Sequence, residues 1–201
     1  MLGGVIATSS PAVGSRCLFA QAGVGVVLTQ HLTDPRLGPE GLALLSRGLP
    51  AELALAALVE GATAPAIRQI AVLSQDGRSA QFSGAAVQPA LGAAQGVDCV
   101  AIGNILRHDG VPAAMVAAFE AEPDAPLPQR LLSALEAGEA AGGEPKPLVS
   151  AALLVVRHDP FPYADLRVDS DRHPICALRR LWEEYEPVAE TYVARAYGGV
   201  G

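Results

Sequence analysis

Groups capable of acyl chemistry stand at the ends of several apolar runs. Thr8-Ser9-Ser10 closes one run, so the Ser9 and Ser10 hydroxyls either face a ligand or cap a turn, as Ser-Ser-Pro commonly does. Thr29 and Gln30 close another. Side chains alternate along a strand, so one of this pair points to each face and one of them can touch a ligand. Asn104 directly follows Gly103, and a carboxamide there could donate to a developing oxyanion, an effect worth about 3 kcal/mol in acyl transfer. The plainer alternative is an Asn that caps the strand. Ser150 opens a further apolar run and could face the same space. Asp165, Arg167 and Asp169 alternate on one strand face, either as a carboxylate-binding Arg or as a structural ion-pair ladder.

Other chemistries find no pattern. His31, His108, His158 and His173 share no metal-ligand spacing with one another or with Cys17, Cys99 and Cys176, so no metal is expected. There is no Gly-x-Ser-x-Gly elbow to build a serine triad around. Gly23-Val24-Gly25 lacks the third Gly and the following helix of a dinucleotide loop, and no cofactor is expected. The net charge of −7 and the single Lys146 leave no basic face for a phosphate backbone, which argues against nucleic acid. Three scattered cysteines suit a reducing compartment, and no apolar run has the length of a membrane helix. These features read as a cytoplasmic protein without a membrane partner.

The elements that must position these residues follow from punctuation and periodicity. Residues 4–8 and 24–30 are expected as an opening pair of strands joined by a loop with Pro11, Gly14 and Cys17. Two helices, 39–47 and 50–60, each begin at Pro and end before Gly, and stack on one sheet face. Strands at 68–74 and 79–83 flank Gln75-Asp76-Gly77-Arg78, whose Asp-Gly centre predicts a hairpin with positive φ at both central residues. A strand over 98–103, helices over 112–121 and 127–141, and a second hairpin of 150–157 with 163–168 come next. A terminal helix runs from Pro174 to about Arg195, burying the stripe Ile175, Leu178, Leu181 and Trp182. At 201 residues the chain reads as one domain, and its order of elements is α+β, with two antiparallel sheets between helix layers.

The wording of the chain also resembles a known family. Ala22–Leu45, with its Val-Leu-Thr-Gln-His-Leu-Thr-Asp-Pro-Arg-Leu-Gly core, carries the strongest likeness. It is joined in order by Thr8–Gly14, Gly103-Asn104-Ile105-Leu106, Ala140-Ala141-Gly142-Gly143 leading to Ser150–Val156, Asp165–Asp169 and His173-Pro174-Ile175. Together they resemble bacterial proteins with the N-terminal-nucleophile hydrolase fold, catalogued as domain of unknown function 1028. That resemblance implies a four-layer αββα sandwich of two antiparallel sheets.

An enzyme of that class uses a Thr, Ser or Cys at residue one, with its own α-amine as base. Met1 supplies neither hydroxyl nor thiol. Relatives usually begin about a strand earlier, so the family's first strand is expected to be absent here and the nucleophile is not present in this chain. The implied function is an amidohydrolase acting on a small amide, lactam or ureido compound. The alternative is a non-catalytic protein of the same fold that binds a small molecule or cell-wall fragment. The site would comprise Asn104 as oxyanion donor, with Ser9, Ser10, Thr29, Gln30, Ser150, Asp165 and Arg167 around the ligand. A homodimer is expected, because a short Ala-rich fold leaves apolar surface that a twofold contact would cover.

Overall fold

Runs of Val, Ile, Leu and Ala form the strands, and the Ala- and Leu-rich stretches following Pro or Gly form most of the helices. The structure, a computed structural model, describes residues 1–199. In chain order its strands and α-helices are β1 (Leu2–Thr8), β2 (Leu18–Gln21), β3 (Gly25–His31), α1 (Leu37–Ser46), α2 (Ala51–Gly61), β4 (Arg68–Ser74) and β5 (Ser79–Ser83). Then follow β6 (Gly92–Gly96), β7 (Cys99–Gly103), α3 (Val111–Ala121), α4 (Leu127–Ala140), β8 (Ser150–Val156), β9 (Ala164–Val168) and α5 (Pro174–Ala196). The strands form sheets of order β1-β8-β9, β2-β3-β4-β5 and β6-β7, antiparallel throughout. The fold class is α+β.

The expected opening pair does not form. β1 pairs with β8, from Leu2 opposite Val156 to Thr8 opposite Ser150, whereas β3 lies between β2 and β4 in another sheet. The cause is the short strand Leu18–Gln21, which turns back through Gly23 at φ +69° and takes the edge of β3 for itself. The Asp76-Gly77 hairpin is present, but only Gly77 has positive φ, at +83°. The Asp76 carboxylate accepts from the Ser74 hydroxyl, the Arg78 amide and the Arg78 Nε, which stabilises a longer loop than the two-residue turn expected. β6, built from Gly, Ala and Gln, has too little β propensity to be read from sequence.

Three apolar cores organise these elements. One lies between α4 and α5 and the β1-β8-β9 sheet, around Leu132, Leu153, Leu178 and Trp182. A second lies between α1 and α2 and the four-stranded sheet, around Val27, Leu37, Leu58 and Ile70. The third joins the two sheets through Ile6, Leu18, Val26 and Ala152. The terminal helix buries Ile175, Leu178 and Trp182 as its periodicity requires, with Leu181 partly buried beside them. Gly41 on α1 lets the helix approach the sheet, since a Cβ there would lie 2.9 Å from Val27 and 3.0 Å from Leu58. Among the described residues no helix is long and apolar enough to cross a membrane.

Candidate functional site: an amide cluster in a deep cavity

A row of polar residues crosses the four-stranded sheet where apolar residues would be expected. Gln30 on β3 stands opposite Gln69 on β4, which stands opposite Ser83 on β5. Gln69 is fully buried, and a buried carboxamide is tolerable only when its donors and acceptor are paired. All of them are. Its Oε1 accepts from Gln30 Nε2 at 2.8 Å and from Asn104 Nδ2 at 3.0 Å. Its Nε2 donates to Ser83 Oγ at 2.9 Å and to the Gly103 carbonyl at 3.0 Å. Because a carbonyl can only accept, the Gly103 contact fixes which way the amide points.

Gln69 thereby ties the end of β7 to the middle of the larger sheet. The second Gln30 hydrogen reaches the Ile102 carbonyl at 3.3 Å, so Gln30 too has its amide orientation set. Both Gln30 and Asn104 border a cavity of about 1420 Å³. Among the described residues, one Asn104 N–H and the side-chain oxygens of Gln30 and Asn104 make no bond, and none is both buried and unpartnered. The cluster therefore offers one donor and two acceptors to whatever enters the cavity.

The family of unknown function DUF1028 matches residues 1–178. The chain belongs to that family. It is similar to a crystal structure of a family protein from Silicibacter pomeroyi, with 34% identity and a TM-score of 0.85, covering 91% of this chain and 79% of the other. No curated protein matches it.

Not every residue singled out in the sequence reaches the cavity of this DUF1028 chain. Ser9 and Ser10 border it, and the Ser9 amide points at the Glu144 carboxylate from 3.3 to 3.4 Å. Thr29 faces the other way. It stands opposite Ile70, on the side packed by α1 and α2, and its hydroxyl donates to the Asp34 carbonyl at 3.3 Å. Ser150 is buried as a pin: its hydroxyl donates to the Ser10 carbonyl at 2.6 Å and accepts from the Val13 amide at 3.1 Å. It holds the Ser9-Ser10 loop without touching the cavity. Asp165 and Arg167 form a two-bond fork, both at 2.8 Å, on β9, away from the cavity. Of the ladder and ligand-site alternatives the structure has an ion pair, with Asp165 alone bonded to Arg167.

Three of the side chains that border the cavity, His31, Cys17 and Cys99, are not set up as a base or an activated nucleophile. His31 borders the cavity, yet its Nδ1 contacts the Ile67 carbonyl at 2.9 Å and its Nε2 receives the Gln88 amide at 3.4 Å. Neither ring nitrogen is left to serve a hydroxyl. Cys17 and Cys99 also border the cavity. Burial raises both thiol pKa values, and the Glu120 carboxylate adds to the rise at Cys99, so both favour the unreactive thiol. No cluster of His, Cys, Asp and Glu suited to a metal occurs among the described residues. Gln69 is not singled out by the sequence reading, although a Gln directly before the strand wording Ile70-Ala71-Val72-Leu73 is itself a signal of a paired polar group.

Proposed function

We propose that this protein binds a small ligand carrying an amide, lactam or ureido group, held by Asn104 and Gln30, and that its described residues do not hydrolyse it. The carrying observation is the Gln30-Gln69-Asn104 cluster, a preorganised donor-and-acceptor set at the polar end of a large, mostly apolar cavity. Gln69 acts as a positioning residue, since its own bonding capacity is used within the protein. The absence of a paired nucleophile and base among the described side chains favours binding over catalysis.

The stacking of the three cores supports reading the architecture as the αββα sandwich of N-terminal-nucleophile hydrolases. A second reading, an amidohydrolase of that class, draws on one observation: the spare Asn104 N–H is the type of donor that stabilises an oxyanion. A cytoplasmic homodimer without nucleic-acid partners completes the proposal. Exposed Leu32, Leu53 and Tyr192 are apolar surface that a twofold contact could cover.

The test is a panel of simple amides, lactams and ureido compounds, followed by thermal shift with mass spectrometry of the recovered ligand. A stabilising compound recovered intact supports binding; a cleaved one supports the second reading. A panel with no stabilising member contradicts both.

A further inference from the structure

Three arginines in this structure grip a carboxylate with the same edge of the guanidinium. Arg36 holds Asp34, Arg167 holds Asp165 and Arg179 holds Glu136, each through Nε and Nη2 at 2.7 to 2.9 Å. That planar fork matches the two oxygens of a carboxylate. Arg16 has the same edge open. Its Nη1 donates to the Pro11 and Ala12 carbonyls, both at 2.8 Å, and among the described residues its Nε and Nη2 make no hydrogen bond. Neither nitrogen is buried without a partner, so both reach open space.

The loop that carries Arg16 is fastened from several directions. Ala12 has a positive φ of +55°, a conformation rare for a residue with a Cβ, and it turns the Pro11 and Ala12 carbonyls toward one guanidinium nitrogen. The Ala12 amide donates to the Asp169 carbonyl at 2.9 Å, the Ser15 hydroxyl to the Ala12 carbonyl at 2.7 Å, and the Val13 amide to Ser150 Oγ at 3.1 Å. Past Arg16, the Cys17 carbonyl accepts from the Thr29 amide at 3.0 Å, which holds Arg16 beside the end of β3 that carries Gln30. None of these bonds involves β1. Arg16 and Gln30 border the same cavity as Asn104. The other arginine along it, Arg130, has its Nε on the Phe119 carbonyl at 3.0 Å and its guanidinium 3.8 Å over the Phe119 ring. Among the described residues, Arg16 alone offers the cavity an open fork.

We propose that Arg16 binds a carboxylate of the ligand, so that the ligand is a small carboxylic acid bearing an amide or ureido group, of the N-acyl or N-carbamoyl amino acid class. The inference rests on the amide reading of Gln30 and Asn104 and names the second group that the ligand carries. Arg16 supplies the charge and the two-point geometry, and the carboxamides meet the neutral end. A carboxylate suits the site better than a phosphate. Glu144 also borders the cavity, and a second anionic charge would find no second open arginine or lysine among the described residues that line it.

The probes are N-acetylalanine and N-acetylalaninamide, which share the acetamide and differ in the carboxylate or neutral amide at the other end. The natural chain is expected to bind N-acetylalanine at least about tenfold tighter, as a charge-assisted fork provides, and the 15N signal of Arg16 Nε to shift with that probe and not with the neutral one. Arg16→Gln is expected to bring the two affinities together. The Nε signal is read in the natural chain, so it decides the question even where the variant does not fold. Equal affinities, with N-acetylalaninamide seated on Gln30 and Asn104, would overturn this proposal and leave the amide reading standing. A preference for N-acetylalanine with a silent Arg16 signal, or one kept in Arg16→Gln, would place the carboxylate elsewhere and overturn it. N-acetylalanine that shifts Arg16 but neither Gln30 nor Asn104 would support the carboxylate site and contradict the amide reading. No binding of either probe at millimolar concentration would overturn both.

Discussion

Asn104 Nδ2 donates to Gln69 Oε1 at 3.0 Å, so a residue at the end of one sheet is held by a buried residue in the middle of another. Gln69 is the hub of this link and Asn104 its half-buried arm toward the cavity. The two substitutions should therefore separate. Gln69→Leu strips partners from Gln30, Asn104, Ser83 and the Gly103 carbonyl together, and is expected to cost about 2–4 kcal/mol, because buried groups left unpaired cost about 1–3 kcal/mol each and some regain water. Asn104→Ala should cost about 1 kcal/mol or less, since its partner keeps a second donor in Gln30. Urea unfolding of both variants checks the order; equal losses would contradict it.

Ser150→Ala tests the pin beneath the Ser9-Ser10 loop. The buried hydroxyl serves both the Ser10 carbonyl and the Val13 amide, so its removal is expected to cost about 1–3 kcal/mol. Amide exchange at Ser9 and Val13 should quicken as well. An unchanged exchange rate at Val13 would mean that the hydroxyl does not hold the loop.

Trp182 on α5 is 3% exposed and packs in the core with Leu153 and Leu178. Its emission should be blue-shifted in the folded protein and move to the red on unfolding. Trp182→Ala is expected to cost about 3–5 kcal/mol, as large core truncations do. Emission like that of free Trp in the folded state would place this helix face in water and contradict the packing.

Asp34 gives a pH dependence of known sign. Hydrogen bonds from the Arg36 side chain, at 2.9 and 2.7 Å, hold its pKa at about 2 instead of 3.8. A lowered folded pKa means that the ionised carboxylate favours the fold. That stabilisation is complete above pH 3.8 and is lost as the pH falls through about 2. The Tm difference between the natural chain and Asp34→Asn should therefore be largest near neutral pH and close toward pH 2. A difference that does not change with pH would rule out the linkage.

The sequence revealed what local rules control. The hairpin around Asp76-Gly77 and the terminal helix with its Trp182 stripe both follow from spacing within a few residues. The pairing of β1 with β8 does not, because an edge strand of Gly, Val, Ile and Ala carries no mark of which distant strand it meets. Alternation required Thr29 and Gln30 to face opposite sides, but only the packing of α1 and α2 decides that Thr29 faces the helices and Gln30 the cavity. Ser9, Ser10 and Asn104 were legible as polar groups at strand ends. Ser150, Asp165 and Arg167 have the same residue types but stand off the cavity, Ser150 bonded to the distant Ser10 and Val13 and Arg167 to its strand neighbour Asp165, a placement that residue type alone does not reveal.

The central claim is that the Gln30 and Asn104 carboxamides form a ligand-binding surface while Gln69 supports them from behind. The most direct measurement is a titration of the 15N-labelled side-chain amide signals with N-acetylalaninamide, a small compound carrying two amides. The account predicts saturable shifts at Gln30 and Asn104, smaller shifts at Gln69, loss of binding in Asn104→Ala, and intact ligand at the end. Unchanged Gln30 and Asn104 signals at saturating amounts of a ligand that binds elsewhere, or at millimolar concentrations with no binding at all, would contradict it.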